Sequence, residues 1–285
     1  MTPMTEIDLI AKYDQMVPRY TSYPTAPHFS PAIGPDDYAA WLAEVPKGTP
    51  LSLYLHIPYC DTMCWFCGCT TKIVNRYEPI KAYLEWLCAE IAMVAERLKS
   101  RHPATYIHWG GGTPTILKPA DILILTDTLR RHFDFAPNGV FAVEIDPREM
   151  TRDIVTALAK AGVTRASLGV QDFNPDVQKA INRIQPYEMT KQVIDWLRAD
   201  GIEEINLDLM YGLPYQSEAG IIETVDRALT LEPSRLALFG YAHVPWMKKH
   251  QKLIDEAALP DSQERWAQYT AAREHLIGKG FVPVG

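Results

Sequence analysis

Apolar and polar residues alternate in separated short runs along this chain, and stretches with helical spacing lie between them. Leu51, Leu53, Leu55 and Ile57 share one parity of a run whose other parity is Ser52, Tyr54 and His56. The same alternation sets Phe141, Val143 and Ile145 against Ala142, Glu144 and Asp146. It recurs with Ala166, Leu168 and Val170 against Ser167, Gly169 and Gln171, and with Ile205, Leu207 and Leu209 against Asn206, Asp208 and Met210. With two less regular runs, the pattern predicts strands at 51–57, 105–109, 140–145, 165–170, 205–210 and 235–241.

The stretches between them read as helices with identifiable ends. Pro79 suits the first turn of one, on which Ile80, Tyr83, Leu84, Leu87, Cys88 and Ile91 share a face. Thr151 suits the N-cap of a helix that Gly162 ends, Asn174-Pro175 opens another, and Gly201 stops "EMTKQVIDWLRAD". Six strand–helix units in succession predict an α/β fold with parallel strands, a partial TIM-like (β/α)6 barrel, with a doubly wound open sheet as the alternative. The apolar parity would meet the helices. The other parity places Glu144, Gln171 and Asp208 near strand C-terminal ends, where a barrel normally packs aliphatic side chains. Buried carboxylates need partners, so this lumen is expected to hold a polar ligand or water.

Two domains are expected: an irregular, proline-rich N-terminal arm at 1–48 and a barrel at 49–285. Within the arm, "VPRYTSYPTAPHF" is unsuited to a helix or a central strand and reads as a segment lying on the surface or closing over a ligand. Composition narrows the partners. The 285 residues are 47% hydrophobic, and 28 basic against 35 acidic side chains leave a net charge of −7. That balance argues against a general nucleic-acid or anionic-membrane binder. The N-terminus lacks the pattern of a signal peptide and no apolar run could span a bilayer, so a cytoplasmic protein is expected.

Four of the five cysteines crowd into "YCDTMCWFCGC". A structural zinc site draws two ligand pairs from separate places, and no second pair exists. A disulfide between such close neighbours would be strained. An iron–sulfur cluster, by contrast, accepts thiolates from one compact loop. The fifth cysteine, Cys88, fits a buried inert thiol.

The spacing of Cys60, Cys64 and Cys67 is the signature of radical S-adenosylmethionine (SAM) enzymes, in which three thiolates leave one iron of a [4Fe-4S] cluster open for SAM and its reductive cleavage yields a 5′-deoxyadenosyl radical. Together with "PRYTSYPT", "YLHIPYC", "HWGGGTPT", "EIDPREMT", "GVQDFN", "NLDLMYGLP" and "YAHVP", the cysteine motif resembles the oxygen-independent coproporphyrinogen III oxidases, also called coproporphyrinogen dehydrogenases, from about Tyr20 to the chain end.

The resemblance implies oxidative decarboxylation of two propionates of coproporphyrinogen III to vinyl groups, giving protoporphyrinogen IX in haem biosynthesis. It implies two SAM molecules, an electron donor and an electron acceptor, with the protein expected to be a monomer. Cys60, Cys64 and Cys67 would hold the cluster. Tyr54, Gly111 and Glu144 would meet the first SAM, and Phe66, Gly112, Thr113, Gln171, Arg183, Asp208 and Ala242 the second. Cys69 is expected to stay outside the ligand set. Taken alone, Arg183 reads as a solvated surface arginine, the three glycines 110–112 as a turn that bares amides to a ligand, and His56 and His108 as satisfied wall residues. Arg19 is a candidate partner for substrate propionates.

The alternatives are a haem chaperone or carrier on the same fold, another radical SAM enzyme, and a plain iron–sulfur electron carrier. Gly68-Cys69 and the arm argue against the first, and the polar lumen against the last. The chain stops at "GKGFVPVG", where a helix should end at Gly280 and a strand begin. Family members continue into a C-terminal helical domain, which the resemblance implies is absent here.

Overall fold

The computed structural model describes residues 5–13, 24–25 and 28–284. The six alternating runs become strands that pair in chain order. They are β1 (Leu51–Ile57), β4 (Pro103–Gly111), β5 (Asp134–Ile145), β6 (Arg165–Gln171), β7 (Glu204–Tyr211) and β8 (Arg235–Gly240), every pairing parallel, in the order β1-β4-β5-β6-β7-β8. A doubly wound sheet reverses its order at a switch point, and this one does not. The winding is that of a partial barrel. A second, two-stranded sheet joins β2 (Tyr59–Cys60) to β3 (Lys72–Ile73) within the cysteine loop.

Helices α3 (Glu78–Arg97), α4 (Pro119–His132), α5 (Arg152–Ala161), α7 (Tyr187–Ala199) and α8 (Glu218–Leu229) follow successive strands, with a short α6 (Pro175–Ala180) before α7. Their ends follow the sequence. The Thr151 hydroxyl accepts from the Ile154 amide, and Gly162 ends α5 with φ 88°, a left-handed conformation that glycine adopts without steric cost. The apolar strand parity packs on the helices: Ile57, Trp109, Val143, Leu168 and Leu207 join Ile80, Leu84, Ile122, Leu125 and Leu197 in one core. Fully burying such a side chain is worth about 1.5–3 kcal/mol. β4 alternates more cleanly than its sequence suggests, with Ile107 and Trp109 buried and Tyr106 and His108 half-buried on the lumen side. β8, an edge strand paired only to β7, shows no clear alternation.

Three expectations need correction. The stretch 1–48 is not irregular throughout: it holds α1 (Glu6–Tyr13) and α2 (Pro35–Glu44), the second opened by Pro35 with Asp36 and Asp37 in its first turn, where acidic groups complement the helix dipole. After α9 (Ser262–Gly278), residues 281–284 form no strand, and Val282 and Val284 are exposed. A strand needs a partner edge, and this segment has no ladder with β8. Cys88 is half-buried at the rim of the core rather than enclosed. Arg19 and most of the "RYTSYPT" segment lie outside the described residues.

Candidate active site

The cysteine loop leaves the C-terminal end of β1, and backbone hydrogen bonds stitch it together. Lys72 donates its amide to the Pro58 carbonyl at 2.7 Å, Val74 to Cys60 at 3.0 Å, and Cys67 to Cys64 at 3.2 Å. Distant side chains hold the remaining carbonyls. Asn182 Nδ2 donates to Met63 at 2.8 Å, Gln251 Nε2 to Phe66 at 3.0 Å, His250 Nε2 to Cys67 at 2.7 Å and Lys248 Nζ to Cys69 at 3.0 Å. Sequence reading missed the 248–251 segment, because side-chain bonds to a remote backbone leave no local pattern.

The loop roofs a cavity of about 180 Å³ at the C-terminal mouth of the barrel. Cys60, Cys64 and Cys67 line it with eight more of the expected residues: Phe66, Gly111, Gly112, Thr113, Glu144, Gln171, Arg183 and Asp208. Cys69 is also on the wall. Tyr54 and Ala242 are not among the lining residues. Tyr54 stands on the lumen wall beside it, its hydroxyl 3.0 Å from His56 Nδ1 and its ring stacked on His108, while the Ala242 carbonyl accepts from Gln251. A larger cavity of 490 Å³ between α1 and α9 carries neither cysteine nor carboxylate, so the smaller one has the chemistry.

Each of the three sulfurs has a donor. Thr113 Oγ1 lies 3.5 Å from Cys60 Sγ, and the Cys69 amide 3.4 Å from Cys67 Sγ. Cys64 Sγ receives Arg148 Nη2 at 3.2 Å and Arg183 Nη1 at 3.4 Å. Burial pushes the Cys60 thiol up to about 11. The bond with the Cys69 thiol draws Cys67 down, helped by His250 and Lys248, and the same bond raises Cys69.

Arg183 is no surface residue. It is 6% exposed, bonds Asp146 at 3.0 Å and the Gly169 carbonyl at 2.7 Å, and its Nε finds no partner among the described residues. Gly169 makes room for it, since a Cβ there would lie 3.1 Å from Nη2. Taken alone it looks solvated because Asp146 is distant in the chain, whereas the resemblance assigns it to the ligand site, and it lines the cavity. Arg148, which was missed, has a signal of its own in "DPR": Asp146 caps the turn by accepting from the Arg148 amide, which turns the arginine back on the carboxylate.

The three glycines serve close packing more than open amides. The Gly111 amide donates to Glu144 Oε2 at 3.1 Å and the Gly112 amide to Ile57 at 2.8 Å. A Cβ on Gly112 would sit 2.5 Å from the Tyr59 carbonyl oxygen, and one on Gly111 2.7 Å from the His56 ring. Glu144 also accepts from His108 Nε2 at 3.0 Å, and His56 Nε2 donates to Thr70, so both histidines are satisfied as expected. Asp208 accepts from Ser167 at 3.2 Å and Asn206 at 2.8 Å, and burial raises its pKa. Gln171 adopts φ 69°, at a register shift where β6 leaves β7, a strained conformation of the kind that collects at functional sites.

The Radical SAM superfamily matches residues 54–228, from β1 to the last turn of α8. The chain belongs to this superfamily. The radical SAM chain is 52% identical over 279 residues to an oxygen-independent coproporphyrinogen III oxidase of Bradyrhizobium diazoefficiens, covering 98% of this chain and 62% of the relative. It is 43% identical to the enzyme of that name from Paracoccus denitrificans, covering 100% and 63%. The structure of coproporphyrinogen III oxidase from Escherichia coli superposes with a TM-score of 0.90 at 37% identity, covering 97% and 62%. The chain thus spans somewhat less than two thirds of these proteins' length.

Superfamily membership implies a [4Fe-4S] cluster and SAM. The donor set fits such a cluster: three thiols around one cavity, each sulfur met by a hydrogen-bond donor of the kind that tunes cluster thiolates. Among the described residues, no group of three or more His, Cys, Asp or Glu side chains is arranged to hold a metal ion. Thiols that grip three corners of a cuboid sit farther apart than ligands of one ion.

Proposed function

We propose that this chain is the radical SAM barrel of an oxygen-independent coproporphyrinogen III oxidase. It would convert two propionate side chains of coproporphyrinogen III to vinyl groups, giving protoporphyrinogen IX in haem biosynthesis. The observation that carries this reading is the convergence of Cys60, Cys64, Cys67 and eight further expected residues on one cavity at the barrel mouth. The chain's similarity over nearly its whole length to enzymes of that name supports the substrate.

Cys60, Cys64 and Cys67 hold the cluster, and Cys69 stays outside the ligand set. A reduced cluster with SAM bound there would supply a primary carbon radical able to remove a hydrogen atom from a propionate β-carbon. For each propionate, that carbon loses its hydrogen atom, the bond between the α-carbon and the carboxylate breaks to release carbon dioxide, and one electron passes to an acceptor as the double bond forms. An electron donor would be needed to reduce a cluster held by these cysteines.

Glu144, fixed by His108 and the Gly111 amide, presents a carboxylate to the amino or ribose groups of a first SAM beside Tyr54 and Gly111. Phe66, Gly112, Thr113, Gln171, Arg183, Asp208 and Ala242 take a second. Ser167 and Asn206 hold Asp208 from below, so its carboxylate is oriented before any ligand arrives.

Anaerobic reconstitution with iron and sulfide, reduction, and addition of SAM with coproporphyrinogen III tests the proposal. Formation of 5′-deoxyadenosine together with a vinyl porphyrinogen is expected. Cleavage of SAM with the substrate returned unchanged would reject the substrate and retain the superfamily chemistry.

A further inference from the structure

Three charged side chains are packed against one sulfur. Asp146 directly follows β5 and accepts from Arg148 through Nε at 3.0 Å and Nη2 at 2.6 Å. The same carboxylate accepts from Arg183 Nη1 at 3.0 Å. Both guanidinium groups continue past it to Cys64 Sγ, at 3.2 Å from Arg148 and 3.4 Å from Arg183. The side chains are withdrawn from solvent, with 12% exposure for Arg148, 11% for Asp146 and 7% for Arg183. Neither Cys60 nor Cys67 receives a guanidinium among the described contacts.

Such a group is costly to build. Two cations and one anion are desolvated together, and replacing buried ion triads with apolar residues is often neutral or stabilising. Asp208 also lies within electrostatic reach of Arg183, and Glu149 within that of Arg148. A thiolate adds negative charge directly where both guanidinium groups donate, because Cys64 is deprotonated when it binds iron. Charge and hydrogen bonds at ligand sulfurs are among the levers that set a cluster's reduction potential.

The geometry points to Arg148, held by Asp146 beside Arg183, as a positioning residue that raises the reduction potential of the cluster by placing positive charge on the Cys64 sulfur. This rests on the three-cysteine reading above. Added negative charge on the reduced cluster is stabilised by positive charge at this corner, so the sign of each variant's effect follows the change in charge. Arg148→Gln removes one positive charge, and Asp146→Asn removes one negative charge.

The test is a redox titration of the reconstituted full-length protein, followed by electron paramagnetic resonance, with iron and sulfide content measured on every sample. Arg148→Gln should lower the midpoint potential and Asp146→Asn should raise it. Arg148→Lys, which keeps the charge on a shorter reach, should fall between wild type and Arg148→Gln. Potentials unchanged in all three variants, or shifted in the same direction for Arg148→Gln and Asp146→Asn with iron content intact, would overturn the inference. If Arg148→Gln fails to hold iron, Asp146→Asn decides: a potential at or below that of the wild type there rejects the role. A wild-type protein that binds no four-iron cluster would instead reject the three-cysteine reading itself.

Discussion

The cysteine loop is held on two sides by different chemistry. On the sulfur side, Thr113, Arg148 and Arg183 donate to the thiols. On the carbonyl side, Asn182, Lys248, His250 and Gln251 donate to the backbone of Met63, Cys69, Cys67 and Phe66. Donors to sulfur change the charge that a metal meets. Donors to carbonyls set the path of the chain, and of these Lys248 and His250 also act electrostatically on Cys67, whereas Asn182 and Gln251 are neutral. The two jobs are therefore separable by mutation, which would be difficult if one set of side chains did both.

The largest break removes the sulfurs. Cys60→Ser, Cys64→Ser and Cys67→Ser should each abolish the four-iron absorbance and resonance signals after reconstitution, while Cys69→Ser should keep them. A Cys69→Ser protein without a cluster would refute the three-ligand assignment. Next comes the packing beneath the loop. In Gly112→Ala the new methyl meets the Tyr59 carbonyl, which is backbone and cannot rotate away. A cost of about 1–3 kcal/mol is expected, read as a lower denaturation midpoint of the iron-free protein.

A smaller effect should separate the two sides. Gln251 is 1% exposed and bridges Phe66, Ala242 and Val244, so Gln251→Ala strands buried polar groups at about 1–3 kcal/mol. The reconstituted variant should show an unchanged midpoint potential and faster loss of iron to a chelator. A shifted potential would show that shape and charge are not separable here. The smallest effect lies among the thiols of the iron-free protein. Cys67, lowered by its bond with Cys69, should be alkylated ahead of Cys60, which burial raises to about 11. Mass mapping near pH 7 that finds equal labelling would contradict this order.

What the sequence made legible is what repeats locally. The alternation at 51–57, 141–145, 165–170 and 205–210 assigns strands and lumen residues alike, because side-chain direction follows directly from parity. The cysteine spacing is equally local. Arg183, assigned to the ligand site by the resemblance, looks like a surface group when taken alone, because its partner, Asp146, is brought near only by the winding of the barrel. Lys248, His250 and Gln251 were passed over for the same reason. The glycines at 110–112 were recognised as special, yet the open amides expected of them are in part used by Ile57 and Glu144. The periodicity of 235–241 is ambiguous, and in the structure Leu236, Ala237 and Leu238 are all half-buried, so neither parity is covered.

The parallel pair Tyr59↔Lys72 and Cys60↔Ile73 ties off the loop with peptide hydrogen bonds alone. The entropy of bringing the thiols near one another is thus lost during folding, before any iron arrives. Stripped of its inorganic core by oxygen, the polypeptide should stay a ready receptacle, open to refilling without first unravelling.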